Sequence, residues 1–245
     1  IRRQRQMCIR DRRKAARASG LEWGLAEEAG KAARWLAALD LPGPETMLAH
    51  LQNLAGKDYA AFIPRCDLEP WQATGGPLCP IITGAALADR SATMLDGNEL
   101  RLGKTAYPIL LAATLGQAAR FHRCAFTTRW SGLRLDCFGN GLTIEGDRDS
   151  LLLAEVNQVC CCKSDATAPQ QLASTRAYGI DEDIFKRIDA LAFETYAPAT
   201  EESRAGAGAG LTDNDENPAD KPRVIPAQAG IFQSCCRYEI PAPTA

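Results

Sequence analysis

Apolar residues recur at three- and four-residue spacing over several stretches of this chain. Leu21, Leu25, Ala29, Ala32, Leu36 and Leu39 fall on one stripe, the mark of a helix with one buried side. Ser19, with Glu22 three residues on, is expected to cap its start by reciprocal hydrogen bonds to orphaned backbone N–H groups. Pro42-Gly43 is expected to end it. Gly24 and Gly30 lie inside, each costing about 1 kcal/mol against Ala, so another backbone is expected to pack close there. Glu45 to Leu54 predicts a second helix with Met47, Leu48, Leu51 and Leu54 inward and Gly56 as its stop. Pro64 to Pro80 is punctuated by proline and glycine and predicts an extended connection. Leu78 to Gly84 predicts a short buried strand or turn, and Pro108 to Phe121 a helix with proline near its first turn.

The period then drops to two. Phe126, Thr128 and Trp130, then Leu133, Leu135 and Cys137, then Leu142 and Ile144 alternate with polar residues, divided by Ser131-Gly132 and Gly139-Asn-Gly141. This predicts an antiparallel meander. Leu151 to Cys161 is expected to add a strand with Leu152, Ala154 and Val156 inward. Asp181 to Tyr196 predicts a last helix burying Ile184, Ile188, Leu191 and Ala192, with Pro198 beyond its end. The class these elements define is α+β, with N- and C-terminal helices packed on a central, mainly antiparallel sheet.

Composition adds little to that picture. The 245 residues are 46% hydrophobic and 24% charged with a formal net charge of -2, the balance of an ordinary globular protein. The longest apolar run, Tyr107 to Gly116, is about half the roughly 20 residues a membrane helix needs. No membrane association is expected. Arg2, Arg3, Arg5, Arg10, Arg12, Arg13 and Lys14 make a basic head, but Met7-Cys-Ile-Arg-Asp-Arg12 resembles translated adapter sequence, so no nucleic-acid partner is expected. Val224 to Ile231 resembles read-through into a dispersed repeat. Residues 1–13 and 218–245 are therefore expected to be a non-native head and a disordered or non-native tail around one domain, 14–217. The cysteines are isolated or contiguous, as in Cys160-Cys161-Cys162, and not spaced as a disulfide framework. A cytoplasmic, reduced protein is expected.

Residues that carry chemistry are few. Gly206-Ala-Gly-Ala-Gly210 has the small residues of an anion-binding nest, yet Leu211-Thr212-Asp213 follows where a phosphate loop needs Lys-Ser/Thr; a flexible or tightly packed loop explains it as well. Three consecutive thiols in a strand alternate between faces and cannot converge on one ion. With two histidines, His50 and His122, and no paired ligand spacing, no metal site is expected, and the sequence names no catalytic residue or cofactor. The carboxylates remain: Glu27 and Glu28 at helical spacing from Trp23, Glu201 and Glu202 before Ser203-Arg204, and Asp213 and Asp215. Together they suit a cation or acid–base site; surface ion pairs and caps account for the same residues.

Gly20 to Gly30, containing Trp23-Gly-Leu-Ala-Glu-Glu28, and Ala199 to Asp215, containing Glu202-Ser-Arg204, resemble the signature stretches of a bacterial family, domain of unknown function 3726. The resemblance covers about Lys14 to Asp215. It implies no active site, and a family chain would have a further helical segment before Lys14. Two function classes follow. The first is a non-catalytic accessory or interaction protein. The second is a small-molecule-binding protein or enzyme whose pocket forms where the signatures meet, with Trp23, Glu27, Glu28, Ser203, Arg204, Gly206, Gly208, Gly210 and Asp213 as ligand-binding candidates.

Overall fold

Every apolar stripe named above has to find a partner, and most of them converge on one central helix. The computed structural model describes residues 11–168 and 180–195, all within one compact unit, Ile1–Ala197. The helices are α1 (residues 11–18), α2 (Trp23–Ala38), α3 (Gly43–Leu54), α4 (Pro80–Asp89), α5 (Ser91–Leu95), α6 (Ile109–His122) and α7 (Glu182–Phe193). The strands are β1 (Leu100–Leu102), β2 (Thr105–Ala106), β3 (Ala125–Trp130), β4 (Leu133–Phe138), β5 (Gly141–Gly146), β6 (Glu155–Val156) and β7 (Val159–Ser164). Five strands make an antiparallel sheet in the order β1-β7-β3-β4-β5, and β2 pairs with β6. The α+β class holds.

Helix α6 lies against β3 and β4, and α2 and α4 lie against the other side of α6. The helical layer thus reaches the sheet chiefly through the middle helix of the chain, while α7 packs on α3. Two glycines let α6 sit this close. A Cβ on Gly116 would come within 2.6 Å of the Trp35 ring and 3.2 Å of the Phe138 carbonyl, and one on Gly84 within 2.7 Å of Thr114 Oγ1. The predicted stripes are inward as expected: Leu25, Ala29, Ala32 and Leu36 on α2, and Met47, Leu48, Leu51 and Leu54 on α3.

Several expectations change. Ser19 does not cap α2. Its Oγ donates to the Ala15 carbonyl, and α2 begins at Trp23 without a side-chain cap. Ser19 instead closes α1. Gly20 takes a φ of +99°, its N–H bonds Arg17 O, and the Leu21 N–H bonds Ala16 O, the paired bonds that end a helix on a left-handed glycine. Helix α1 includes Arg12, which is 1% exposed. Gly24 has nothing within 4 Å of a built Cβ, so it marks no close approach; Gly30 is buried.

Leu78 to Gly84 is not a strand. Leu78 makes one bridge to Thr105, and Pro80 starts α4, where a fixed φ and a missing N–H are tolerated. Leu151 to Cys161 is not one strand either: it holds the end of a 3-10 turn (Arg148–Leu152), then β6, then the start of β7. Val156 is buried, but Leu152 and Ala154 are exposed. In α7, Asp181 accepts from the N–H groups of Asp183 and Ile184; Ile188 and Ala192 are buried, while Ile184 and Leu191 are half-buried.

Candidate functional site

The first signature, Gly20 to Gly30, spans the turn after α1 and the first half of α2. With the alanine and leucine face of α2 turned inward, Trp23 is left 52% exposed in its first turn. The guanidinium carbons of Arg13 and Arg17 lie 5.6 and 5.9 Å from its ring centroid, within the range of cation–π attraction. Glu27 and Glu28 pair with Lys31 at 3.2 and 2.8 Å, and their hydrogen bonds raise the Lys31 pKa. These are exposed pairs one turn apart, each contributing a few tenths of a kcal/mol. On the described surface the two glutamates are therefore partners of a lysine. Ser203, Arg204, Gly206, Gly208, Gly210 and Asp213 fall outside the described residues, and so does the expected meeting of the two signatures.

Two histidine–nucleophile contacts join residues about thirty positions apart, which one-dimensional reading missed. His50 Nε2 lies 3.2 Å from Cys79 Sγ. Cys79 stands at the N-cap of α4, where its side chain makes no capping hydrogen bond. A thiol at a helix start beside an imidazole has the parts of an activated nucleophile. Burial defeats it: His50 is 2% and Cys79 1% exposed. Desolvation lowers the His50 pKa to about 3 and raises that of Cys79 to about 11, so the pair stays neutral. Tyr107 covers it, its ring edge-on to His50 at 5.7 Å and its hydroxyl bonded by Asn53 at 3.0 Å.

The second contact is Ser91 Oγ with His122 Nε2 at 2.8 Å. The single hydroxyl proton is committed to the Ala88 carbonyl at 2.7 Å. Ser91 can then only accept from the imidazole, the reverse of what a general base requires. Both contacts act as structural bonds in this conformation.

The sheet presents a third arrangement on the face turned away from α6. Asp136, 5% exposed, accepts from Thr127, Ser164 and both Nε and Nη2 of Arg134. Burial alone would raise its pKa, but the hydrogen bonds of Arg134, Thr127 and Ser164 outweigh that and hold it below the ordinary aspartate value. Cys161 points inward, with Thr128 as its hydrogen-bond partner at 3.6 Å, while Cys160 and Cys162 stand half-buried on the opposite face. The thiols are split as strand alternation requires. At the β3–β4 hairpin lies an open depression of about 450 Å³ lined by Arg129, Arg134, Ser131, Gln158 and Cys160 among others. Neither Trp23, Glu27 nor Glu28 is among its lining residues.

Among the described residues no three His, Cys, Asp or Glu side chains are grouped to hold a metal ion, and no helix is long and apolar enough to cross a membrane. The geometry defines an α+β domain with a displayed aromatic–cationic surface on its first two helices. Residues 12–79 match the family model described as "Protein of unknown function (DUF3726)", so over that segment, which holds the first signature, the chain is similar to this family. No curated protein and no solved structure matches the chain.

Proposed function

We propose that this domain is a non-catalytic interaction protein that docks a protein partner on the outer face of α1 and α2, with Trp23 as anchor. The observation that carries the reading is the exposure of Trp23 under two arginines inside the family-matched segment. Tryptophan and arginine are the residue types most enriched where binding energy concentrates. An exposed indole beside two guanidinium groups suits an apolar pocket rimmed by carboxylates. Support also comes from the nucleophile–histidine contacts, one sealed and neutral and the other proton-committed. A reducing, cytoplasmic setting accords with the free cysteines of β7.

A photo-crosslinking amino acid at position 23, introduced in cells of the native host, tests this. A discrete protein adduct at position 23, absent when the label is at exposed Leu68 and lost on Arg17→Ala, is the expected result. A folded, labelled protein giving no more adduct at 23 than at 68 overturns it.

A further inference from the structure

The register of the sheet puts Arg129 directly opposite Arg134, and Arg129 opposite Cys160 on its other side. Arg101 is in turn opposite Cys160. Arginines 101, 129 and 134 thus share one transverse row on the face away from α6. Cβ atoms of directly opposed residues are about 4.5–5.5 Å apart, and like charges so placed repel. The protein offsets part of this at the edges of the row. Glu99 bridges Arg101 and Arg129, and Asp136 takes Nε and Nη2 of Arg134. Glu145 also lies opposite Arg134, on β5, but none of these three carboxylates belongs to the described lining of the depression at the hairpin, which both Arg129 and Arg134 border.

An arginine offers five N–H donors in a rigid fork. Arg134 gives two nitrogens to Asp136, and Arg129 one to Glu99, so each keeps donors for a ligand. Ser131, Gln158 and Cys160 border the same space. The Ser131-Gly132 turn, with φ of +46° and +77°, is a tight two-residue connection of the hairpin type, and it keeps Trp130 and Leu133 paired. The forks therefore stand on a rigid base. Both stems rise beside the depression from directly opposed positions, and an anion accepting from the donors each has left would relieve their repulsion.

We propose that this depression is a binding site for a phosphate-type oxyanion, held between Arg129 and Arg134 at the β3–β4 hairpin. The several oxygens of a tetrahedral anion can accept from donors that reach it from two sides. The site is separate from Trp23 and stands whether or not the interaction reading does.

The test is a titration of the full chain with inorganic phosphate at constant ionic strength, read by chemical shifts of the arginine Nε–H groups. Saturable binding is expected, weakened about tenfold or more in Arg129→Gln and Arg134→Gln. Arg129→Lys should recover only part of it, because it restores charge without the fork. Lys186→Gln, on α7, should bind normally. Glycerol 1-phosphate and vesicles containing phosphatidic acid distinguish a free phosphate ester from a lipid headgroup; binding of either supports the site. Absence of saturable binding, equal binding by all four variants, or tighter binding of malonate than of phosphate would overturn the proposal. Thermal melts of each variant separate lost binding from lost folding.

Discussion

The interior around His50 and the outer face of α2 carry opposite kinds of residue for opposite reasons. In the interior, groups able to do chemistry, an imidazole and a thiol in contact, are sealed beneath Tyr107 and held neutral. On α2, a residue able to stabilise a core, Trp23, is displayed beside two arginines. Groups able to react are enclosed in the core here, and a large apolar side chain stands exposed. In this fold chemical potential and exposure fall on different residues.

The largest effect expected on the interior side is a pH dependence. His50 has an ordinary value of 6.5 and a folded value of about 3. Between those limits the unfolded chain binds a proton the folded one does not, so this residue makes stability fall as pH falls. The slope approaches about 1.4 kcal/mol per pH unit, several kcal/mol over the whole window. Denaturant melts from pH 7 to 3.5 should show it, and His50→Gln should flatten the curve in that window. Equal slopes for both proteins would mean that His50 is reached by water.

A smaller effect is expected at Asp136. Asp136→Asn removes the charge that holds Arg134 and should cost about 1–3 kcal/mol at neutral pH, seen as a lower denaturant midpoint at unchanged m-value. Because the folded pKa lies below the ordinary 3.8, the carboxylate's contribution is present above that value and is lost as pH falls through the folded one. The cost of the variant should therefore shrink in acid.

On the outer face the effects on stability should be slight. Trp23→Ser loses cation–π contacts with Arg13 and Arg17 and should cost less than about 1 kcal/mol, a change of a few degrees at most in a thermal melt. Glu27→Gln loses one exposed ion pair with Lys31, worth about 0.3 kcal/mol, and should melt within error of the parent. A large loss from Trp23→Ser would move Trp23 to the interior side of the comparison.

Legibility followed the same division. Helices α2, α3 and α7 each bury one face, so their period was visible, while α6, buried on most sides, was marked by Pro108 at its start; β3, β4 and β5 are joined by short turns and alternate apolar with polar residues in sequence. Helix α4 was missed because its residues Pro80 to Gly84 are all buried, which removes the amphipathic signal. Insertion of β7 between β1 and β3 pairs Leu100 with Cys161 and Ala125 with Ser164, segments far apart in sequence, and no local pattern encodes it. Ser19 satisfied the spacing of a starting cap, but the Gly20 beside it was the stronger signal, since a left-handed glycine ends the preceding helix. Of the candidate site, Trp23, Glu27 and Glu28 were named from the sequence. The His50–Cys79, Ser91–His122 and Arg129–Arg134 contacts arise only from tertiary packing and strand register.

The central claim is that binding resides on α2 and that the buried thiol is structural. Its most direct test is the affinity of Trp23→Ser and Cys79→Ala proteins for the partner identified by crosslinking at position 23, measured alongside their melting temperatures. Trp23→Ser is expected to lose at least about tenfold in affinity at nearly unchanged melting temperature, and Cys79→Ala the reverse, a lower melting temperature with affinity intact. Normal binding by Trp23→Ser, or abolished binding by a Cys79→Ala protein that melts like the parent, would contradict it.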